Sequence, residues 1–181
     1  MTLIETLISM ALLSLVLLAT YSALTLALRF QSRVHDSVTT FQQAAAASAR
    51  IQQALGLGSA ASLSIEAPTG FAFASAAAEA GPFTHDSNGD LEFHRWVFFY
   101  IDGGDLWMGE VPFAATTTLS PTPTLANLRA DGSARLRRVA QGVTEMEVFG
   151  GSGAEVRLRV EGQIPERKNA VTIRNRVTFR Q

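Results

Sequence analysis

The sequence has no cysteine among its 181 residues, which excludes disulfide bonds and thiolate metal sites. Histidine is scarce as well, and charged residues make up 17% of the chain. His35, His85 and His94 belong to no motif that pairs a nucleophile with a base or spaces metal ligands. We therefore expect a protein that is not an enzyme and needs no cofactor. Its length suits one modest domain with an appendage.

One stretch of the chain, residues 6–28, carries no charge at all. As a helix rising about 1.5 Å per residue, it is long enough to cross a hydrocarbon core of about 30 Å. A secretory signal peptide would have a shorter apolar region behind a basic stretch, and neither feature is present. The stretch is therefore predicted to be a transmembrane helix. The residues expected to face lipid or other helices are Leu3, Ile4, Leu7, Ile8, Leu12, Leu15 and Leu18.

Glu5 interrupts the apolar character of this segment near its start. A carboxylate close to the bilayer interior costs about 2.5 kcal/mol or more, so it marks a candidate functional residue. The alternative is a glutamate tolerated at the level of the lipid headgroups. The first five residues read Met-Thr-Leu-Ile-Glu and precede an apolar run. They resemble the mature N-terminus of type IV pilins and type II secretion pseudopilins, which usually reads Phe-Thr-Leu-Ile-Glu.

The resemblance implies a filament subunit that is made as a precursor. In that family a prepilin peptidase removes a basic leader and N-methylates the new first residue. Met1 would be that processed residue, the alternative being an initiator methionine, and its amine would pair with Glu5 of an adjacent subunit. The implied partners are other pilin or pseudopilin subunits, the prepilin peptidase and the assembly platform. Before assembly the chain would sit in the inner membrane with its head outside the cytoplasm.

A lost basic leader would also resolve a conflict in membrane orientation. Arg29 and Arg33 follow the apolar segment and nothing basic precedes it, which alone would place the head in the cytoplasm. Major pilins typically carry a proline near residues 20–22, and this sequence has none there. Without that helix breaker the helix is predicted to continue beyond the membrane. This departure favours a minor pilin or a pseudopilin.

The continuation of the helix is predicted to have one apolar face for a sheet. Apolar residues recur at spacings of three and four. They are Phe30, Val34, Val38, Phe41 and Ala45. Gly56 and Gly58 predict the end of the helix, which would run from about residue 2 to about residue 55. We expect this face to contact Val97, Phe99, Leu158 and Val177 of the head.

The rest of the chain has the pattern of β-strands. Residues 59–92 are predicted to form a long loop with one short strand near 70–74, and 115–128 a second loop. Strands are predicted over 92–101, 105–110, 135–140, 143–149, 155–161 and 170–180. Hairpin turns are expected at 102–104 and 150–153, so the sheet should be antiparallel. The first strand is apolar on both faces and should be central, covered on both sides.

These elements predict an α+β fold with three parts: a transmembrane helix over 1–28, its amphipathic continuation over 29–55 and an antiparallel β-sheet head over 56–181. A long helix packed on such a sheet is what the pilin fold would provide. The hairpins around 98–107 and 142–153 resemble those of J-type pseudopilins and W-type minor pilins. The family resemblance thus extends, more weakly, into the head.

Net charge is distributed unevenly, with +1 over residues 1–55, −7 over 56–128 and +5 over 129–181. Unlike charges of this kind could meet on neighbouring subunits of a filament. The basic C-terminal strands could instead contact nucleic acid, as in a DNA-uptake pilus. Pairing with acids of the same strands is the favoured explanation. Those acids are Glu145, Glu147, Glu155 and Glu161.

Two further alternatives remain open. Asp86, Asn88, Asp90 and Glu92 alternate as calcium ligands could, but Gly89 does not suit an EF-hand loop, and an Asx turn is the simpler account. The chain could also be a single-pass anchored binding or adhesin domain. Glu5 discriminates, because a simple anchor gains nothing from a carboxylate there.

Overall fold

The computed structural model describes residues 2–66, 68–76, 85–87, 92–117, 123–149, 154–161 and 170–177, without the side chains of 114–117, 154 and 177. The chain forms two compact units, Met1–Val38 and Thr39–Gln181. The predicted turn at 150–153 lies outside the described residues. So do the end of the last predicted strand and the side chain of Val177.

The N-terminal helix, α1, spans Leu3–Leu55 without interruption, as predicted. Hydroxyl groups in its apolar part bond to the helix itself. Ser14 and Thr20 each donate to the carbonyl oxygen four residues earlier, at 2.8 Å. This arrangement satisfies side chains that would otherwise be costly in an apolar environment. The helix ends where the sequence predicted, just before Gly56.

The predicted apolar face of α1 is not its buried face. Phe30, Val34, Val38 and Phe41 are 44–66% exposed. Phe41 lies in the same unit as the sheets and is absent from the core under α1, so its predicted packing on the sheet is wrong. The residues of α1 that enter the core are mostly smaller. They are Ala44, Ala47, Ile51, Ala54 and Leu55. Alanine on this face leaves room for large rings from the sheet, and those of Phe71, Phe73 and Phe99 are fully buried in the same core.

Among its described residues the head contains two antiparallel sheets, whereas the sequence predicted one. The first has five strands in the order β1-β2-β3-β4-β5 and the second has three in the order β6-β7-β8. Their bounds are β1 Ser64–Glu66, β2 Gly70–Ser75, β3 Phe93–Asp102, β4 Asp105–Thr117, β5 Arg135–Gln141, β6 Val143–Phe149, β7 Ala154–Glu161 and β8 Ala170–Val177. Gly142, with φ of 70°, separates the two sheets. Its carbonyl oxygen accepts a hydrogen bond from Glu161 N–H at 2.8 Å.

Other differences from the sequence prediction are local. β1 and a short 3-10 helix, Ala60–Ser62, lie in the predicted first loop. In the second predicted loop, β4 continues to Thr117 and a short helix, α2, spans Leu125–Ala130. α2 forms because Thr124 caps it, its Oγ1 accepting from Asn127 N–H at 3.4 Å, and because its leucines are buried.

β3 is central and covered on both faces, as predicted. Val97 and Phe99 face the core that includes α1 and the second sheet. Phe98 and Tyr100 face a second core under α2. The turn after β3 has Gly103 and Gly104 at φ of 60° and 80°, the left-handed conformation that a two-residue hairpin turn requires.

Polar contacts also hold α1 to both sheets. Ser48 is buried on α1 and accepts a hydrogen bond from the Asn175 amide of β8. Gln43 Oε1 accepts from the Gln141 backbone N–H of β5 at 3.3 Å. The C-terminal part of α1 is thereby fixed against β5 in one sheet and β8 in the other.

Candidate functional site

The first candidate residue, Glu5, forms a reciprocal pair with Thr2. The Thr2 backbone N–H donates to Glu5 Oε2 at 2.8 Å, and the Glu5 backbone N–H donates to Thr2 Oγ1 at 3.4 Å. This is a capping box, which satisfies two donors that the first turn of a helix leaves unpaired. The carboxylate also lies at the positive end of the helix dipole. Glu5 therefore has a role within its own chain.

The sequence contained the signal for this pairing, because threonine followed three residues later by glutamate is the capping-box pattern. The sequence prediction assigned a role to Glu5 but none to the hydroxyl group of Thr2. The structure adds Thr2 as a residue that orients the Glu5 carboxylate. The predicted processing of Met1 and the predicted pairing of its amine lie outside the described residues.

Around Glu5 the surface of α1 is apolar and exposed. The seven residues predicted to face lipid or other helices are all 55–78% exposed. The most apolar 18-residue window of α1 is long and apolar enough to cross a membrane, and none of it is buried by the described chain. Helix α1 is therefore compatible with a single-pass membrane anchor.

Two arginines of β7 pair with acids of the second sheet, which confirms the predicted pairing for Glu145, Glu147 and Glu161. Arg157 on β7 lies 2.8 Å from Glu147 on β6. Arg159 lies 3.8 Å from Glu145 on β6 and 3.5 Å from Glu161 on its own strand. The pairs with Glu147 and Glu145 connect residues that face each other across the β6–β7 ladder. Internal pairing thus neutralises part of the surface considered for nucleic-acid binding.

The packing of α2 and the pairing of β4 with β5 also bring acidic and basic segments of the sequence together. Asp102 lies 3.1 Å from Arg129, and Asp105 lies 3.2 Å from Arg138. The Arg129 guanidinium also stacks over the Tyr100 ring, 4.2 Å from its centroid. The separation of charge along the sequence is therefore reduced in the folded head.

The predicted calcium loop is mostly outside the described part of the chain, since Asn88 and Asp90 are not among those residues. Among the residues that are described, no group of three or more His, Asp or Glu side chains is arranged to hold a metal ion.

Comparison of the chain with protein-family models, curated proteins and solved structures finds no match. The resemblance at the N-terminus rests on the five-residue motif and the apolar helix that follows it.

Proposed function

We propose that this chain is a structural subunit, of the minor pilin or pseudopilin type, of a type IV pilus-like or type II secretion filament. The observation that carries the proposal is the position of Glu5. Glu5 is the third residue of α1, and the helix has no further charged residue until Arg29. The α+β layout, with the C-terminal part of α1 on an antiparallel head, supports the same proposal.

The exposed apolar surface of α1 needs a partner outside the chain, because so large an apolar surface in water would be strongly unfavourable. Lipid supplies that partner before assembly, and the helices of neighbouring subunits supply it in a filament. In a helix bundle Glu5 would be buried, and a buried carboxylate without a cation costs several kcal/mol. The N–H of Thr2 satisfies part of that requirement. An amine from the adjacent subunit would satisfy the rest and set the axial register.

The capping box gives specific support to a second candidate function, a single-pass anchored binding domain. A glutamate that only caps α1 would need no partner in another subunit. A filament subunit needs the charge of Glu5 for assembly, whereas an anchored domain needs only the hydrogen bond by which Glu5 caps α1. Glutamine can replace glutamate in a capping box, so Glu5→Gln removes the charge and keeps the cap.

The experiment compares three variants in cells that carry the filament machinery. Glu5→Gln and Glu5→Val should both insert in the membrane but be lost from sheared filaments. Thr2→Ala removes the capping hydroxyl, worth about 1 kcal/mol, and keeps the charge, so it should still enter filaments. Normal incorporation of Glu5→Gln would refute the assembly role and favour the anchored domain.

A further inference from the structure

The sheet face that packs on α1 carries charge at one end. Along β3, Arg95 shares a face with Val97, which lies in the core beneath α1. On β4, Glu110 shares a face with Met108 of the same core, and Arg137 on β5 is the register partner of Met108. Strand alternation therefore brings two arginines and one glutamate together at the end of this face.

One carboxylate lies between these arginines. Arg95 Nη1 donates to Glu110 Oε2 at 2.8 Å, and Arg137 Nη2 lies 3.6 Å from Glu110 Oε1. The side chains of Arg95 and Glu110 are 22% and 25% exposed, while that of Arg137 is 48% exposed. The pair between Arg95 and Glu110 is thus mostly buried, and Arg137 lies at its more exposed edge.

A third arginine, Arg50 on α1, belongs to the same group, which we call the arginine cluster (Arg50, Arg95 and Arg137). Burial lowers the pKa of Arg50, and the positive charges of Arg137 and Arg95 lower it further, against an opposing effect of Glu110. Arg50 therefore lies within electrostatic range of all three groups. Among the described residues, Glu110 is the carboxylate that pairs with both Arg95 and Arg137, and Arg50 Nη1 donates to the neutral Gln53 Oε1 at 2.8 Å. Positive charge is therefore in excess around Glu110.

The cluster is also incompletely hydrogen-bonded. Guanidinium groups present several N–H donors, and a single carboxylate accepts only a few of them. Within the described residues, Arg95 Nε is buried and has no acceptor. Arginine donors are well matched to carboxylates, which accept two parallel hydrogen bonds from one guanidinium. Arg95 Nε is out of reach of another chain, but Arg137 is 48% exposed, and a second carboxylate there would offset the excess positive charge.

We propose that the arginine cluster binds an acidic side chain of a second protein chain. Under the function proposed above, on which this inference rests, that chain is a neighbouring subunit of the filament. Two other arginines of the head, Arg129 and Arg138, each pair with an aspartate of the same chain, so they do not add to this excess. A single carboxylate suits such a site, whereas a nucleic acid gains affinity from several phosphate contacts in a row.

Carbodiimide cross-linking tests the proposal directly, because it joins a lysine amine to a carboxylate in contact with it. Lys168 is the only lysine in the sequence, so the parent chain gives the background. Arg50→Lys and Arg137→Lys keep the positive charge and add a reactive amine. Each full-length variant is cross-linked in cells that carry the filament machinery, and mass spectrometry identifies the carboxylate.

We expect Arg50→Lys or Arg137→Lys to yield an adduct with a second protein at about ten times the parent's level. Arg129→Lys is the matched control, since Arg129 is 45% exposed but already paired. It should link only to its own chain. An adduct confined to Glu110, or none, would overturn the proposal, as would binding of duplex DNA that is lost in Arg50→Gln.

A second readout measures the effect on assembly. Replacing both Arg50 and Arg137 by glutamine should lower incorporation into sheared filaments about tenfold, equivalent to about 1.4 kcal/mol. Arg129→Gln should leave incorporation unchanged. If the parent chain enters no filament yet the Arg50→Lys or Arg137→Lys variant still cross-links to another protein above background, the filament function fails while carboxylate binding by the arginine cluster stands.

Discussion

The buried face of α1 predicts that a substitution at the small residue Ala47 lowers the stability of the head more than a substitution at the larger residue Phe41. Ala47 is fully buried against the core, whereas Phe41 is 59% exposed. Ala47→Leu would add three carbon atoms to a closely packed interface, and overpacking of this kind typically costs about 1–3 kcal/mol. Alanine and leucine are both good helix formers, so helix propensity contributes little to the difference.

Phe41→Ala should have almost no effect on the stability of the head. The ring is mostly exposed, and the small loss of burial is offset by the higher helix propensity of alanine, worth about 0.5 kcal/mol. We expect a net change within about 0.5 kcal/mol, as for other surface substitutions. The sequence pattern alone, which placed Phe41 on the buried face, would have predicted the opposite order of these two variants.

Urea unfolding of the full chain in detergent, followed by tryptophan fluorescence, measures both effects. The two tryptophans, Trp96 and Trp107, both belong to the head. With a slope of about 2 kcal/mol per molar urea, a loss of 2 kcal/mol lowers the midpoint by about 1 M. A larger shift for Phe41→Ala than for Ala47→Leu would show that the buried face of α1 has been wrongly assigned.

Two further predictions concern single positions in the head. Gly109→Ala should lower the urea midpoint, because a Cβ there would overlap the Phe98 ring. Gly132→Ala should not, since no described residue beyond its two chain neighbours has an atom within 4 Å of its Cβ position. An unchanged midpoint for Gly109→Ala would contradict this packing. Hydrogen bonds from the Ser133 hydroxyl and backbone N–H lower the pKa of Asp131, so their stabilising effect is lost as pH falls through that lowered pKa. Ser133→Ala should raise the Asp131 pKa in an NMR titration, and an unchanged value would exclude the hydroxyl as a cause.

Local patterns in the sequence were sufficient for the long helix and most of the strands, but not for β1, α2 or the short 3-10 helix. The apolar run of α1, the glycine after Leu55 and the alternation along β7 each depend on neighbours in the chain. The same holds for the turn at Gly103 and Gly104. The capping box of Thr2 and Glu5 also spans only one helical turn, so its signal was available in the sequence.

Only the tertiary structure decided which surfaces meet. Residues around Phe41 and those around Ala47 both recur at helical spacing, and hydrophobicity alone favoured the larger side chains. The alanines lie on the buried face because their small side chains leave space for the phenylalanine rings of the sheet. The split into two sheets at Gly142 and the arginine cluster likewise depend on residues far apart in sequence. The periodicity of a sequence indicates which residues share a face, but it does not indicate which surface that face will contact.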